Sequence, residues 1–133
     1  MNQMVISGKR KTSVAKATIK EGNGKITINK KPISFFPNLQ QLELNEPLII
    51  AKEVLKSLTF DISINVKGGG INSRIEASRL AIAKAIVEFT KNEDVKRAFL
   101  SYDRNMLIAD TRRKEAYKPG DSKARARRQT SYR

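Results

Sequence analysis

Phe60-Asp61-Ile62-Ser63-Ile64-Asn65-Val66-Lys67-Gly68-Gly69-Gly70-Ile71-Asn72-Ser73-Arg74-Ile75-Glu76 changes its apolar period midway. Phe60, Ile62, Ile64 and Val66 alternate with Asp61, Ser63, Asn65 and Lys67, the period-two pattern of a strand with one buried face. Three glycines break it. Beyond them Ser73 and Glu76 stand at capping-box spacing, and Ile71, Ile75, Ile82, Ile86 and Phe89 form one stripe of a helix that runs to about Lys91. With a strand-rich first part and a helix-rich second part, the chain is expected to form an α+β fold, a small β-sheet packed with helices.

Outward from this centre the N-terminal side is strand-rich. Gln3 to Ile6 is predicted as a short strand and Gly8-Lys9-Arg10-Lys11 as a basic turn. Thr12 to Lys20 alternates, with Ala15, Ala17 and Ile19 on one face and Lys16, Thr18 and Lys20 on the other. Asn23-Gly24 between this run and Lys25-Ile26-Thr27-Ile28-Asn29 signals a β-hairpin. Asn45-Glu46-Pro47 reads as a helix start, with Asn45 as N-cap, Leu48, Ala51, Leu55 and Leu58 at helical spacing, and an end near Ser57. On the C-terminal side a shorter helix from about Glu93 to Ser101 buries Val95 and Phe99, and Met106-Leu107-Ile108 lies against the body. There is no internal repeat.

The chain of 133 residues has 27 Lys/Arg against 13 Asp/Glu, a net charge of +14. Residues 112–133 hold nine Lys/Arg and two acids, Glu115 and Asp121, so they contribute 9 − 2 = +7. The remaining 18 − 11 = +7 belongs to residues 1–111, one domain's worth of chain. The aliphatic content of 112–133 is Ala116, Ala124 and Ala126, too little to offset its ordering entropy. The expectation is a globular α+β RNA-binding body over 1–111 and a long, extended, basic C-terminal tail over 112–133, ordered by a polyanion whose condensed counterions it releases.

Other functions are disfavoured by composition. With no Cys and no His there is no thiolate or imidazole metal site, no Cys nucleophile and no His acid/base group. No catalytic set stands out elsewhere: Asp103 and Asp110 flank Arg104, but acids among Arg and Lys more often form ion pairs. The glycine run is neither a Walker loop nor GxGxxG, so no nucleotide cofactor is expected. No enzyme, metal, small-molecule substrate or membrane partner is predicted, and the absence of a signal-like or membrane-length apolar run points to a cytoplasmic protein.

Three segments carry the binding expectation. Ser7-Gly8-Lys9-Arg10-Lys11-Thr12 places three consecutive cations in a turn where they fan outward, favouring phosphate contact over a merely solvated loop. Gly68-Gly69-Gly70 before a helix offers bare backbone and free N–H groups to a phosphate, with Arg74 and Arg79 nearby, although such a run serves equally as a flexible turn. In the tail, Arg112-Arg113-Lys114, Lys118 and Lys123-Ala124-Arg125-Ala126-Arg127-Arg128 suit RNA phosphates, and Tyr117 and Tyr132 can stack on unpaired bases. Pro119-Gly120 and the lack of an apolar face argue against a membrane helix.

Gly8-Lys9-Arg10-Lys11-Thr12-Ser13-Val14-Ala15, the triple glycine before a long helix, Asp103-Arg104, Arg112-Arg113-Lys114-Glu115 and Lys123-Ala124-Arg125-Ala126-Arg127-Arg128-Gln129-Thr130-Ser131-Tyr132-Arg133 follow one another in an order that resembles the family of the ninth protein of the small ribosomal subunit. The ending is similar to its archaeal and eukaryotic branch. The resemblance implies a body on the small-subunit head with a left-handed crossover, ribosomal RNA and neighbouring small-subunit proteins as partners, and a tail that reaches the anticodon stem-loop of the P-site tRNA. The resemblance itself implies that Lys123 to Arg128 thread the RNA and that Arg133 contacts tRNA. Together with the segments above, the expected ribosomal RNA contacts are Lys9, Arg10, Lys11, Thr12, Gly68, Gly69, Gly70, Arg74, Arg79, Arg104, Arg112, Arg113, Lys114, Tyr117, Lys118, Lys123, Arg125, Arg127, Arg128 and Gln129, and the expected tRNA contacts are Ser131, Tyr132 and Arg133. The rival readings are a nucleoid-type architectural nucleic-acid-binding protein and a phosphotransferase using the glycine turn.

Overall fold

The computed structural model describes residues 2–132. Its centre is the strand predicted from the alternation, Phe60–Lys67 (β5), which pairs on one side with Ser13–Glu21 (β2) and on the other with Ile26–Ile28 (β3). Met4–Arg10 (β1) lies beyond β2 and Lys31–Pro32 (β4) beyond β3, giving the sheet order β1-β2-β5-β3-β4. Three helices, Asn38–Leu55 (α1), Ile71–Thr90 (α2) and Glu93–Tyr102 (α3), complete a mixed α+β fold. Phe60, Ile62, Ile64 and Val66 are all buried, and so are Ala15, Ala17 and Ile19 opposite them.

The expected β2–β3 hairpin does not form, because β5 lies between the two strands. A two-residue turn of the expected kind needs positive φ at both central positions; among Gly22-Asn23-Gly24 only Gly24, at φ +88°, has it. The loop amides bond instead to the start of β5. Gly22 and Gly24 donate to the Thr59 and Phe60 carbonyls, and Asn23 and Lys25 donate at 2.9 and 2.8 Å to one carboxylate oxygen of Asp61. Those bonds hold the Asp61 carboxyl below its ordinary pKa, the Lys25 amide being the largest cause. β3 is thereby set parallel to β5, and α1 carries the chain from one to the other.

α1 begins seven residues before Asn45, directly after Pro37, and Pro47 lies inside it. Proline removes the amide that would bond to the Glu43 carbonyl and normally costs about 3 kcal/mol within a helix. Here its ring is buried beside Leu44 and Ala51 on the core face, and that burial offsets the loss. Upstream, the Gln41 amide donates to the Phe36 and Ser34 carbonyls and secures the first turn. α2 starts at Ile71 with Gly70 as its N-cap and no side-chain cap, so Ser73 sits within the first turn instead of capping it. Ile75, Ile82 and Ile86 are buried as predicted, whereas Ile71 is exposed. α3 is capped by Asn92, whose side chain accepts from the Asp94 amide, and it buries Val95 and Phe99; Met106 is buried beyond it.

α2 lies very close to β1 and β2. Ala77, Ala81 and Ala85 of the helix and Ala15 and Ala17 of β2 are fully buried, and Gly8 of β1 sits directly beneath the helix backbone. A Cβ on Gly8 would come within 2.5 Å of the Ala77 carbonyl oxygen and 2.7 Å of the Ala81 nitrogen. Neither atom can rotate away. Gly8→Ala is therefore expected to destabilise the protein by about 3 kcal/mol or more, at or beyond the top of the usual overpacking range, whereas Ser7→Ala on the opposite face should change little; urea unfolding of the two variants checks this.

Candidate nucleic-acid interface

Strand alternation decides where the cations of the first basic segment point. Met4, Ile6, Gly8 and Arg10 face the helices, while Val5, Ser7 and Lys9 face away. Only Lys11 and Thr12 form the turn, with Lys11 in the left-handed region at φ 53°. Lys9 and Lys11 are exposed, as expected. Arg10 does not fan outward: its Nε donates to Glu76 of α2, its Nη1 lies 2.9 Å from an Asp110 carboxylate oxygen, and its side chain is only 15% exposed. Arg79, one turn further along α2, pairs with Glu46 of α1 and with Asp103. Both arginines tie elements of the body together.

The glycine turn packs against the basic turn. Ser13 Oγ donates to the Gly68 carbonyl at 2.9 Å, and Arg74 Nε donates to the same oxygen at 3.0 Å. Gly69 has φ +65°, and a Cβ there would lie 2.0 Å from Ser13 Oγ. Lys11, Thr12, Arg74 and the uncapped start of α2 are thus gathered at one end of the sheet, drawn from segments about 55 residues apart in sequence. Arg104 is exposed in the short 3-10 turn after α3.

Asp110 controls how the chain leaves the body. One oxygen of its carboxylate accepts the Arg112 amide at 2.9 Å, and the other accepts from Arg112 Nη2 at 2.7 Å while facing Arg10. The Arg112 guanidinium, its amide and Arg10 together hold this carboxyl far below the usual carboxylate range. From Arg112 to Tyr132 there is no helix or strand beyond single turns, and Arg113, Lys114, Lys118, Lys123 and Arg127 are exposed. The two acids of this segment pair with two of its arginines, Glu115 with Arg125 and Asp121 with Arg128. Lys114 stands 4.9 Å from the ring centre of Tyr117, and Gln129, Ser131 and Tyr132 are exposed. Arg133 lies outside the described residues.

Sequence reasoning did not single out the lysines that point away from the helices on β2 and β5, Lys16, Lys20 and Lys67. The signal was present in the alternation of the two strands, but only their register shows that the residues share a surface. No group of metal-ligating side chains occurs among the described residues, and no helix there is long and apolar enough to cross a membrane.

The geometry defines a small, strongly basic α+β body continued by an exposed cationic segment. The chain belongs to the family described as Ribosomal protein S9/S16, which matches residues 8–133. It is 53% identical over 129 residues to the small ribosomal subunit protein uS9 of Methanococcus maripaludis strain S2, covering 95% of each chain. It is 50% identical over 129 residues to the protein of the same name from Methanococcus vannielii, again with 95% of each chain covered.

Asp110 supplies a pH test of the attachment. A carboxyl whose pKa is depressed by folding contributes stability above its unfolded value, about 3.9, and loses that contribution as pH falls through the folded value. Asp110→Ala is expected to lower the urea midpoint at pH 7, and the gap to the wild type should begin to close only below about pH 4. Hydrogen exchange at the Arg112 amide should show the same pH dependence.

Proposed function

We propose that this protein is a non-enzymatic, structural constituent of the small ribosomal subunit, that its body binds ribosomal RNA in the subunit head, and that residues 112–133 follow RNA phosphates to reach P-site tRNA. The observation that carries this reading is the division of charge in a member of this family. The body arginines Arg10 and Arg79 are neutralised by acids, while most cations from Arg113 onward stand exposed on chain with no core of its own. Such a segment gains order from a polyanion, and an intertwined ribosomal RNA offers phosphates along its whole length. The neighbouring small-subunit proteins and the translating ribosome in the cytoplasm complete the proposed setting.

Two outcomes test it. The affinity of the full chain for small-subunit RNA should fall steeply with salt, and removing residues 112–133 should reduce the log–log slope by about 0.7 to 0.9 for each phosphate that the shortened chain no longer neutralises. An unchanged slope would return the binding to the body. Deleting Arg133 alone should leave incorporation into small subunits intact and weaken P-site tRNA by about 1 to 2 kcal/mol, the worth of one hydrogen bond to a charged group. Faster tRNA dissociation from the variant subunits, with Arg133→Glu worse than the deletion, is the expected reading. Equal rates would remove the tRNA contact and leave the ribosomal assignment standing.

A further inference from the structure

The sheet has one face under the helices and one face that nothing among the described residues covers. Register builds the open face row by row. Lys9 opposes Val14, which opposes Lys67; next, Ser7 opposes Lys16, which opposes Asn65. Beyond these Thr18, Ser63 and Thr27 lie side by side on β2, β5 and β3. Lys20 stands opposite Asp61, with exposed Lys25 just before β3.

The face therefore has lysines at both ends and a line of hydroxyls between. None of Lys9, Lys16, Lys20, Lys25 and Lys67 forms an ion pair among the described residues, and the one acid, Asp61, is occupied by the loop amides of Asn23 and Lys25. No aromatic side chain lies on it; its apolar members are Val5, Val14 and, at the edge, Pro32. Unpaired bases need rings on which to stack, and this face supplies none. A protein partner would normally bring aromatic or large aliphatic anchors together at its centre, where this face has hydroxyls.

We propose that the open sheet face docks the sugar–phosphate surface of a double-helical RNA segment, with the lysines on the phosphates of both strands and Thr18, Ser63 and Thr27 on the 2′-hydroxyls between them. The dimensions fit. Lys16 and Lys20 are four residues apart on one strand, roughly 13 Å at strand rise. The shallow minor groove of A-form RNA presents 2′-hydroxyls between two phosphate-bearing edges and admits a flat surface of this kind. The inference rests on the RNA-binding reading above, and it assigns to that reading a second surface, distinct from residues 112–133 and specific for duplex.

The absence of cysteine provides a clean probe. Ser63→Cys, exposed on β5, carries a tethered iron chelate into reconstituted small subunits, where hydroxyl radicals cut nearby RNA. Cuts on both strands of one duplex segment are expected. No cuts, or cuts confined to single-stranded loops, overturn the proposal. In parallel, the full-length Lys16→Gln/Lys20→Gln/Lys67→Gln variant, all exposed positions, should have a log–log salt slope on small-subunit RNA lower by about 2 to 3. The Thr18→Val/Ser63→Ala/Thr27→Val variant should lose about tenfold of the preference for an RNA duplex of about 16 base pairs over the same DNA duplex. Circular dichroism confirms that each variant is folded. If only removal of residues 112–133 lowers the slope, the sheet face is excluded and the RNA-binding reading stands; if neither change lowers it, both fall.

Discussion

The contact on which the structure depends is the close approach of α2 to β1 and β2. With Gly8 beneath the Ala77 carbonyl and alanines on both sides, the helix lies nearer the sheet than larger side chains would permit. Small residues contribute little transfer free energy each, so the stability of the layer comes from complete burial and dense packing, with larger side chains closing its margins. Ile75, Ile82 and Ile86 seal the helix, and Phe60 meets Phe89 edge-on with ring centres 6.1 Å apart. The position of α2 then determines where its first turn lies. That turn follows the glycines pressed onto Ser13, so the same packing that builds the core also brings Lys11, Thr12 and Arg74 together.

Two ion-pair groups extend this frame. Arg10 reaches from β1 to Glu76 on α2 and to Asp110, and Arg79 reaches from α2 to Glu46 on α1 and to Asp103. Each joins elements distant in sequence, and each guanidinium is mostly shielded from solvent. A partly buried pair adds modest net stability but makes removal of one partner costly, because the other is left without compensation. The function of these pairs is accordingly geometric: they hold the end of β1, the 3-10 turn after α3 and the start of the basic segment in one arrangement.

The parts of the fold legible in the sequence were those governed by local periodicity. β5, β2, α2 and α3 followed from alternation or helical spacing, and Val95, Phe99 and Met106 are buried where the pattern placed them. What was not legible depends on partners distant in sequence. Asn23-Gly24 looked like a hairpin because nothing local shows that β5 will enter between β2 and β3 and that Asp61 will bind the loop amides. Pro47 looked like a helix start because its cost is local and its compensating burial is not. Likewise Arg10 read as one of three equivalent cations, although strand parity alone turns it toward α2, where Glu76 waits. Among the described residues the cations from Arg113 to Arg128 are exposed, on chain that has no core to draw them in.

The two kinds of cation divide along the same line. Among the first 111 residues there are five arginines and thirteen lysines. Arg10 and Arg79 each hold two acids with the planar fork of donors, and Arg74 braces the glycine turn through a single bond from Nε to the Gly68 carbonyl. The lysines of β1, β2 and β5 point from the open face as mobile point charges that need no preset geometry. An arginine recruited into the body's own ion pairs contributes little to an external polyanion, since the acid beside it cancels its field. The net +7 of the body is therefore felt outside chiefly through lysines, on a face whose register spaces them regularly. From Arg112 onward six arginines accompany three lysines. There too Arg112, Arg125 and Arg128 spend their forks on nearby acids, while Arg113, Arg127 and the three lysines stand exposed without an acid partner among the described residues.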